Sequence, residues 1–185
     1  MKTIIFALIF TIFLSPFQLF SKKIKRPPYY LKKMCPYECC GFGHWVAREE
    51  LKVYKSEKYK NIAFNIKKNE HVTLITGNII IIQHGIKLID HDFIYKGQKI
   101  RKGDKLYLLS YLGEGRYLEW LNGIMEEDIE SSMKGTPKLI QDLKFYWSVK
   151  VKNKKGKIGW LKLYNTAGMM GFSVKEKIYK YPPGC

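Results

Sequence analysis

Short stretches rich in β-branched and aromatic residues recur along the chain from residue 51 onwards, separated by Gly, Asn, Lys and Asp. Several alternate with a period of two, as in Leu106-Tyr107-Leu108. Such alternation over short runs is typical of a small β-barrel or β-sandwich. The pattern predicts a mainly β fold, with strands at residues 51–54, 62–66, 71–75, 79–83, 106–111, 117–121, 147–151 and 158–163.

One stretch departs from this pattern. Residues 125–143 have a helix-like composition, with Met125 and a run of acidic residues near its start and Leu139 near its end. We therefore expect a short helix, or else a loop between strands, in this stretch.

Two segments of the predicted β region resemble each other. Residues 67–76 and 101–110 both begin with two basic residues, a turn residue and an acid, and both continue as an alternating run that ends in a hydroxyl side chain. Chance similarity between two basic, β-rich segments is one explanation. The other is a repeated hairpin unit, which the common pattern slightly favours.

The first residues have the layout of a signal peptide. Lys2 precedes an unbroken apolar run from Thr3 through Leu14, and Ser15 and Pro16 follow. A membrane anchor would need about 18–20 continuous apolar residues, so this run is too short to favour one. We expect residues 1–21 to be cleaved near Ser21 and the protein to be periplasmic or secreted.

The chain is strongly basic, with 33 Lys and Arg against 16 Asp and Glu and a formal net charge of +17. Outside the cytoplasm such a charge favours an anionic envelope polymer or an acidic protein as partner, whereas nucleic acid is not expected. The alternative is a basic surface that serves solubility alone. The composition gives no reason to expect more than a monomer.

Residues 22–44 form a basic arm followed by a cysteine cluster. The segment from Lys22 to Lys33 carries six basic residues and no acidic ones, so we expect an extended arm. It either contacts an anionic membrane peripherally or serves as a spacer between signal and domain.

Four cysteines in an exported protein predict disulfides, and four cysteines allow three pairings. A bridge between two adjacent cysteines is strained, so we expect either Cys39 or Cys40 to bond Cys35 or Cys185. Zinc is the rival interpretation, but the spacing lacks the usual paired Cys-x-x-Cys form. We expect no metal and no cofactor. The four disulfide candidates are Cys35, Cys39, Cys40 and Cys185.

Three parts of the chain resemble the bacterial SH3-like domain: residues 51–54, residues 62–74 and residues 147–161. In that family a first strand precedes a Lys-Gly turn and a hydrophobic strand, and a tryptophan strand, a tight turn and a Gly-Trp strand close the domain. Here Trp147 begins the tryptophan strand, Gly159-Trp160 closes the domain, and Asn69 stands where the family usually has glycine.

The resemblance implies a domain over residues 45–175, followed by a tail at 176–185. About seventy residues separate its two halves, where the family has a short loop. It therefore implies either one SH3-like barrel with an insertion at 79–145, or two tandem or interleaved barrels.

No catalytic arrangement stands out. Bacterial SH3-like domains often accompany cysteine peptidases of the cell wall, which raises Cys39 or Cys40 with a histidine as a possible nucleophile pair. Because these cysteines precede the predicted fold and lie in an oxidising compartment, disulfide formation is favoured over nucleophilic catalysis. We therefore expect no catalytic residues and no enzyme activity.

Aromatic side chains interleaved with lysines are the candidate binding residues. They would stack on sugars or peptides while the lysines hold carboxylates, although large aromatics in small β proteins commonly belong to the core. We expect an exported binding protein that recognises an anionic cell-wall or surface component. A protein-interaction or inhibitor protein acting through 79–145 is one alternative, and a cysteine-dependent cell-wall hydrolase is another. The candidate ligand-binding residues are Tyr54, Tyr107, Tyr111, Trp120, Tyr146, Trp147 and Trp160.

Overall fold

The computed structural model describes residues 26–36, 41–166 and 178–180. The predicted mainly β character is confirmed, and within these ranges the helical structure is a single 3-10 turn at Ile129–Ser132. The strands are β1 Tyr30–Leu31, β2 Gly43–Ala47, β3 Leu51–Tyr54, β4 Ile62–Ile66, β5 His71–Gln83, β6 Gly85–Leu88, β7 Phe93–Tyr95, β8 Gln98–Ile100, β9 Lys105–Gly113, β10 Arg116–Leu121, β11 Ile124–Glu127, β12 Lys138–Gln141, β13 Lys144–Asn153, β14 Ile158–Thr166 and β15 Ile178–Lys180.

All strand pairs are antiparallel and form three sheets. The largest has the order β15-β2-β5-β13-β14-β3-β4, and β1 also pairs with β5. The second has the order β11-β10-β9-β6-β12, and β7 and β8 form a separate hairpin. Among the strands described, none of the three sheets closes into the barrel that the SH3-like resemblance implies.

The second sheet is inserted in the chain between β5 and β13. We call residues 85–141, which form β6 to β12, the inner unit, and the remaining strands the outer unit. Strands β5 and β6 are separated only by His84, and β12 and β13 only by Asp142 and Leu143. The Gln83 side-chain amide donates to Asp142 O and that of Gln141 donates to His84 O, each at 2.8 Å. One bent two-stranded ribbon therefore joins the two units.

The turn before β5 is held by four hydrogen bonds. Glu70 N donates to Lys67 O, and Lys67 N donates to the Glu70 carboxylate. Asn69 N donates to Ala47 O, while Ala47 N donates to Glu70 O. Asn69 has φ 66°, a left-handed conformation that Asn tolerates better than most residues.

The turn before β9 has the same four hydrogen bonds. Asp104 N donates to Arg101 O, and Arg101 N donates to the Asp104 carboxylate. Gly103 N donates to Ile89 O, while Ile89 N donates to Asp104 O. Gly103 takes the left-handed position, with φ 88°. The similarity between residues 67–76 and 101–110 is therefore a structural repeat.

The repeat extends to the strands around these turns. Gly43 of β2 pairs with Leu74, and Gly85 of β6 pairs with the counterpart Leu108. On the other side, the β5–β13 ladder shifts register between residues 150 and 151, and the β9–β10 ladder shifts between residues 118 and 119. The inner and outer units are two versions of one strand arrangement, with residues 118–121 as counterparts of 150–153.

Two clusters of buried side chains form the core. The larger one spans both sheets and includes Phe145 and Trp147 from β13 together with Leu118 and Trp120 from β10. The smaller one belongs to the inner unit and consists of Ile89, Ile100, Leu106, Leu121 and Ile129. Because the larger cluster includes side chains from both units, they pack as one body.

The basic arm differs in part from the extended segment that its composition predicted. Tyr30 and Leu31 pair with Ile80 and Ile79 of β5, and Leu31 is buried in the larger core cluster. Ile81 N donates to Tyr29 O at 2.9 Å. The arm gains its order from β5, a partner distant in sequence. Residues 22–25 lie outside the described residues, so membrane contact through Lys22 to Lys33 stays a prediction.

The stretch at 125–143, expected to be a short helix or a loop between strands, contains the 3-10 turn and also parts of two strands. Residues 124–127 instead pair with β10, and residues 138–141 pair with β6. Acidic residues favour a helix locally, but strand pairing within the sheet outweighs that preference.

The predicted signal peptide at residues 1–21 lies outside the described residues, so it stays a prediction. Within the part of the chain described, no helix has the length and hydropathy that a membrane span requires. Cys35 is disulfide-bonded. Cys39, Cys40 and Cys185 lie outside the described residues, so the pairing stays a prediction.

Candidate functional site

Strands β13 and β14 present one apolar face to the core and one mixed face outward. Three pairs lie opposite each other on the outward face: Tyr146 with Tyr164, Ser148 with Lys162, and Lys150 with Trp160. Side chains alternate along a strand, so Trp147, Val149 and Leu161 point to the other face, where they are buried. We call the outward surface the tyrosine–lysine face; it comprises Tyr54, Tyr59, Tyr146, Lys150, Trp160, Lys162 and Tyr164.

Lys162 lies among three aromatic rings on this face. Its Nζ is 4.3 Å from the ring centre of Tyr146, 4.9 Å from that of Tyr164 and 5.3 Å from that of Tyr59. Lys150 Nζ lies 5.8 Å from the Trp160 ring. Cations at these distances are attracted to the ring faces. The two ammonium groups are therefore held in place beside aromatic surface.

The loop between β3 and β4 brings Tyr59 to the face. Tyr59 Oη donates to Ser148 Oγ, which in turn donates to Glu57 Oε1 at 2.7 Å. Asn78 Nδ2 donates to the same carboxylate oxygen at 2.7 Å. Ser148 and Asn78 are buried, so these hydrogen bonds satisfy polar groups that water reaches poorly. The network fastens the loop to the sheet.

The tyrosines near this network stay protonated. Burial raises the pKa of Tyr59 above its ordinary value of 10, and the nearby Tyr146 and Glu57 raise it further, although the Ser148 hydrogen bond opposes them. Burial and the Glu57 carboxylate also raise the pKa of Tyr30, whose hydroxyl lies 3.5 Å from Glu57 Oε2. Both hydroxyls therefore act as hydrogen-bond donors at neutral pH.

Three of the seven predicted binding residues lie on this face: Tyr54, Tyr146 and Trp160. Tyr54 pairs with Trp160 across β3 and β14, and its ring centre is 5.4 Å from that of Tyr59. The tertiary structure thus joins residues that are about a hundred positions apart.

The other four predicted residues lie elsewhere. Trp147 is 5% exposed on the core side of β13, and its indole N–H donates to Met34 O. Trp120 is 6% exposed in the inner unit, Tyr111 is also buried there, and Tyr107 is half-buried. As placed here, Trp147, Trp120 and Tyr111 contribute to packing.

The inner unit does not repeat the tyrosine–lysine face. Leu118 and Trp120 occupy the positions that correspond to Lys150 and Lys152, and both are buried in the larger core cluster. Tyr107 packs edge-on against Trp120 and against His84, at ring-centre distances of 5.5 and 5.6 Å. Among the described strands, the equivalent surface is open in the outer unit and covered in the inner one.

Sequence reasoning missed Tyr59, Lys162, Tyr164 and Glu57. The period-two pattern Trp160, Lys162, Tyr164 along β14 was a usable signal for two of them, because alternate residues share a face. Tyr59 and Glu57 lie in a loop, where no periodicity indicates a direction.

Within the residues that the structure describes, no three His, Cys, Asp or Glu side chains group closely enough to hold a metal ion. Comparison with protein-family models, curated proteins and solved structures finds no match for this chain. Function is therefore inferred from the geometry of the tyrosine–lysine face.

Proposed function

We propose that this chain is an exported, non-catalytic binding protein of the bacterial envelope and that its tyrosine–lysine face recognises an anionic cell-wall or surface component. The observation that carries the proposal is the placement of Lys150 and Lys162 beside aromatic rings on an outward sheet surface. The signal-peptide layout and the net charge of +17 support export and an anionic ligand.

The chemistry of the face suits a polymer of sugars and acidic groups. Tyr164 is 62% exposed, so its ring offers apolar surface on which a sugar can stack. Lys162 lies beside it and supplies a positive charge for a carboxylate. The hydrogen-bond network around Glu57 holds Tyr59 in place, so less conformational entropy is lost on binding.

We also propose that each unit is an SH3-like domain and that one is nested within the other. In each, a short first strand pairs with a long strand that follows a hairpin and a tight turn. The β13–β14 hairpin, which contains Gly159-Trp160, corresponds to β10 and β11 of the inner unit. These common features support the interleaved arrangement among the alternatives implied by the sequence resemblance.

A pull-down with purified cell-wall sacculi tests the function. The full mature chain should sediment with sacculi at about 0.05 M salt and should be released at about 1 M salt, where the screening length falls to about 3 Å. The double variant Lys162→Gln/Tyr164→Ser should lose most of this binding, because it removes one ammonium and one exposed ring from the face.

The matched control is Ile94→Ser/Lys99→Gln in the inner unit, which also removes one exposed apolar side chain and one exposed lysine. It should bind like the unchanged protein. Equal losses in the two double variants would show that overall charge, and not this face, governs binding. No binding to sacculi at low salt would contradict the proposed ligand class.

A further inference from the structure

A hollow lies where β13 enters its turn, beyond Lys150 of the tyrosine–lysine face. Its volume is about 400 Å³, and its lining includes His44, His71, Thr73, Lys152 and Lys154. The lining residues include two histidines and two lysines but no aspartate or glutamate. The hollow is therefore a concave surface of positive charge and hydrogen-bond donors.

Strand register explains why these side chains meet. His44 of β2 pairs with Thr73 of β5, and Thr73 pairs with Lys152 of β13. Residues directly opposite each other in a sheet have their Cβ atoms about 4.5–5.5 Å apart and point to the same face. The row across three strands brings an imidazole, a hydroxyl and an ammonium group to one place.

The turn after β13 adds the second lysine. The Asn153 side-chain carbonyl accepts hydrogen bonds from the backbone N–H groups of Lys155 and Lys157, each at 3.0 Å. Asn153 N also donates to Lys157 O. These bonds fix the turn that carries Lys154, so its position at the rim of the hollow does not depend on a ligand.

The inner unit fills the same position with aromatic side chains. Ile86, Tyr107 and Trp120 form the corresponding row across β6, β9 and β10. Trp120 is buried and packs on Tyr107. The inner unit thus has packed aromatic side chains at this position, whereas the outer unit has a hollow lined by lysines. Lys152 and Lys154 lie close together on β13 and its turn, and a bound anion would relieve the repulsion between their charges.

We propose that this hollow is a binding site for a phosphate group. Lysine is a compact point charge with three rotatable donors, so two lysines can follow the oxygens of a tetrahedral oxyanion without a fixed fork geometry. Two ammonium groups balance the charge of a phosphate dianion, and the Thr73 hydroxyl and the His44 imidazole N–H add donors. The site uses none of the residues of the tyrosine–lysine face.

Titration of the full mature chain with inorganic phosphate tests the site, with calorimetry and NMR as readouts. Phosphate should bind with a millimolar dissociation constant and should shift the resonances of the His44 ring and the Thr73 methyl group. The double variant Lys152→Gln/Lys154→Gln should lower the association constant about tenfold, as expected when two partly exposed ion pairs are lost.

The control is Lys99→Gln/Lys102→Gln, which removes two exposed lysines from the inner unit and should change the association constant less than twofold. Equal weakening in both double variants, or phosphate-induced shifts that spare His44 and Thr73, would overturn the site. Binding of acetate or succinate as tightly as phosphate would overturn the assignment to phosphate. The sacculus experiment uses different residues, so either proposal can fail alone.

Discussion

Glu119 is a buried carboxylate whose ionisation should make stability depend on pH. It lies on β10 and is 1% exposed, within the core of the inner unit. Its counterpart in the outer unit is Val151, also fully buried. Glu119 Oε2 accepts the backbone N–H of Glu130 at 2.8 Å, in the 3-10 turn. A position that takes valine in one unit therefore carries an ionisable group in the other.

Burial raises the pKa of Glu119 from its ordinary value of 4.5 to about 7. The Glu130 backbone hydrogen bond favours the ionised form and lowers the pKa. The Glu130 carboxylate raises it, and Lys87 opposes that effect. Lys87 also forms an ion pair with Glu130, so its charge is shared between the two carboxylates. Desolvation is the largest of these effects.

The magnitude follows from linkage. One pKa unit corresponds to about 1.4 kcal/mol, so the ionised form of Glu119 costs the folded protein about 3 kcal/mol. Because the folded-state pKa is the higher one, the stability contributed by the protonated group is fully present below pH 4.5. It is lost progressively as the pH rises to and through 7.

The perturbation is Glu119→Gln, which keeps an oxygen that accepts the Glu130 N–H but cannot ionise. Urea unfolding of both proteins at pH 4, 5, 6, 7 and 8 gives the difference in unfolding free energy at each pH. We expect the variant to gain about 3 kcal/mol relative to the unchanged protein between pH 4 and pH 8. The other titrating groups are common to both proteins and largely cancel in the difference.

Parallel profiles for the two proteins would refute a raised pKa of Glu119. A constant difference would mean that the carboxylate has the same pKa in the folded and unfolded states. A change of the opposite sign would mean that hydrogen bonding and Lys87 outweigh desolvation. Glu127→Gln serves as the control, because it makes the same substitution at an exposed carboxylate of neighbouring β11.

Two further predictions concern backbone positions. Gly159→Ala should lower the unfolding free energy by about 1–3 kcal/mol, because a Cβ atom there would lie 2.6 Å from Tyr54 O and 2.5 Å from a Val53 methyl group. Urea unfolding measures this loss. An unchanged midpoint would show that β3 moves away from the new methyl group without a cost in stability. Asn69→Ala should lower the unfolding free energy by about 1 kcal/mol because φ at this position is 66°, whereas Asn69→Gly should lower it little. Equal losses of stability in thermal unfolding of the two variants would argue against a backbone cause.

Local pattern was enough to predict the strands with the clearest alternation. Residues 51–54 and 62–66 form strands with the predicted limits, and the two predicted segments at 71–75 and 79–83 are one continuous strand. The shared turn pattern at 67–70 and 101–104 was also readable, because the turn chemistry is local: an acid caps the backbone and Asn or Gly takes the left-handed position. Strands such as β6 and β12 were missed, since they are short and only half-buried.

The candidate site shows the limit of the same reasoning. Composition indicated that tyrosine, tryptophan and lysine would form the binding surface. It gave Trp147 and Trp160 the same predicted role, although the pleat of the sheet places them on opposite faces. Composition also could not show that Trp120 is buried while Lys152 is exposed, because burial depends on how the two units pack against each other.

Strand alternation, the repeated turn and the excess of positive charge can all be read from the sequence, since each depends on neighbouring residues or on simple counts. The tertiary structure alone decided that one unit is inserted within the other, that Tyr59 meets Lys162, and that His44, Thr73 and Lys152 share a row. The physical reason is that antiparallel register and burial are set by contacts between segments distant in sequence, and local preference carries no information about them.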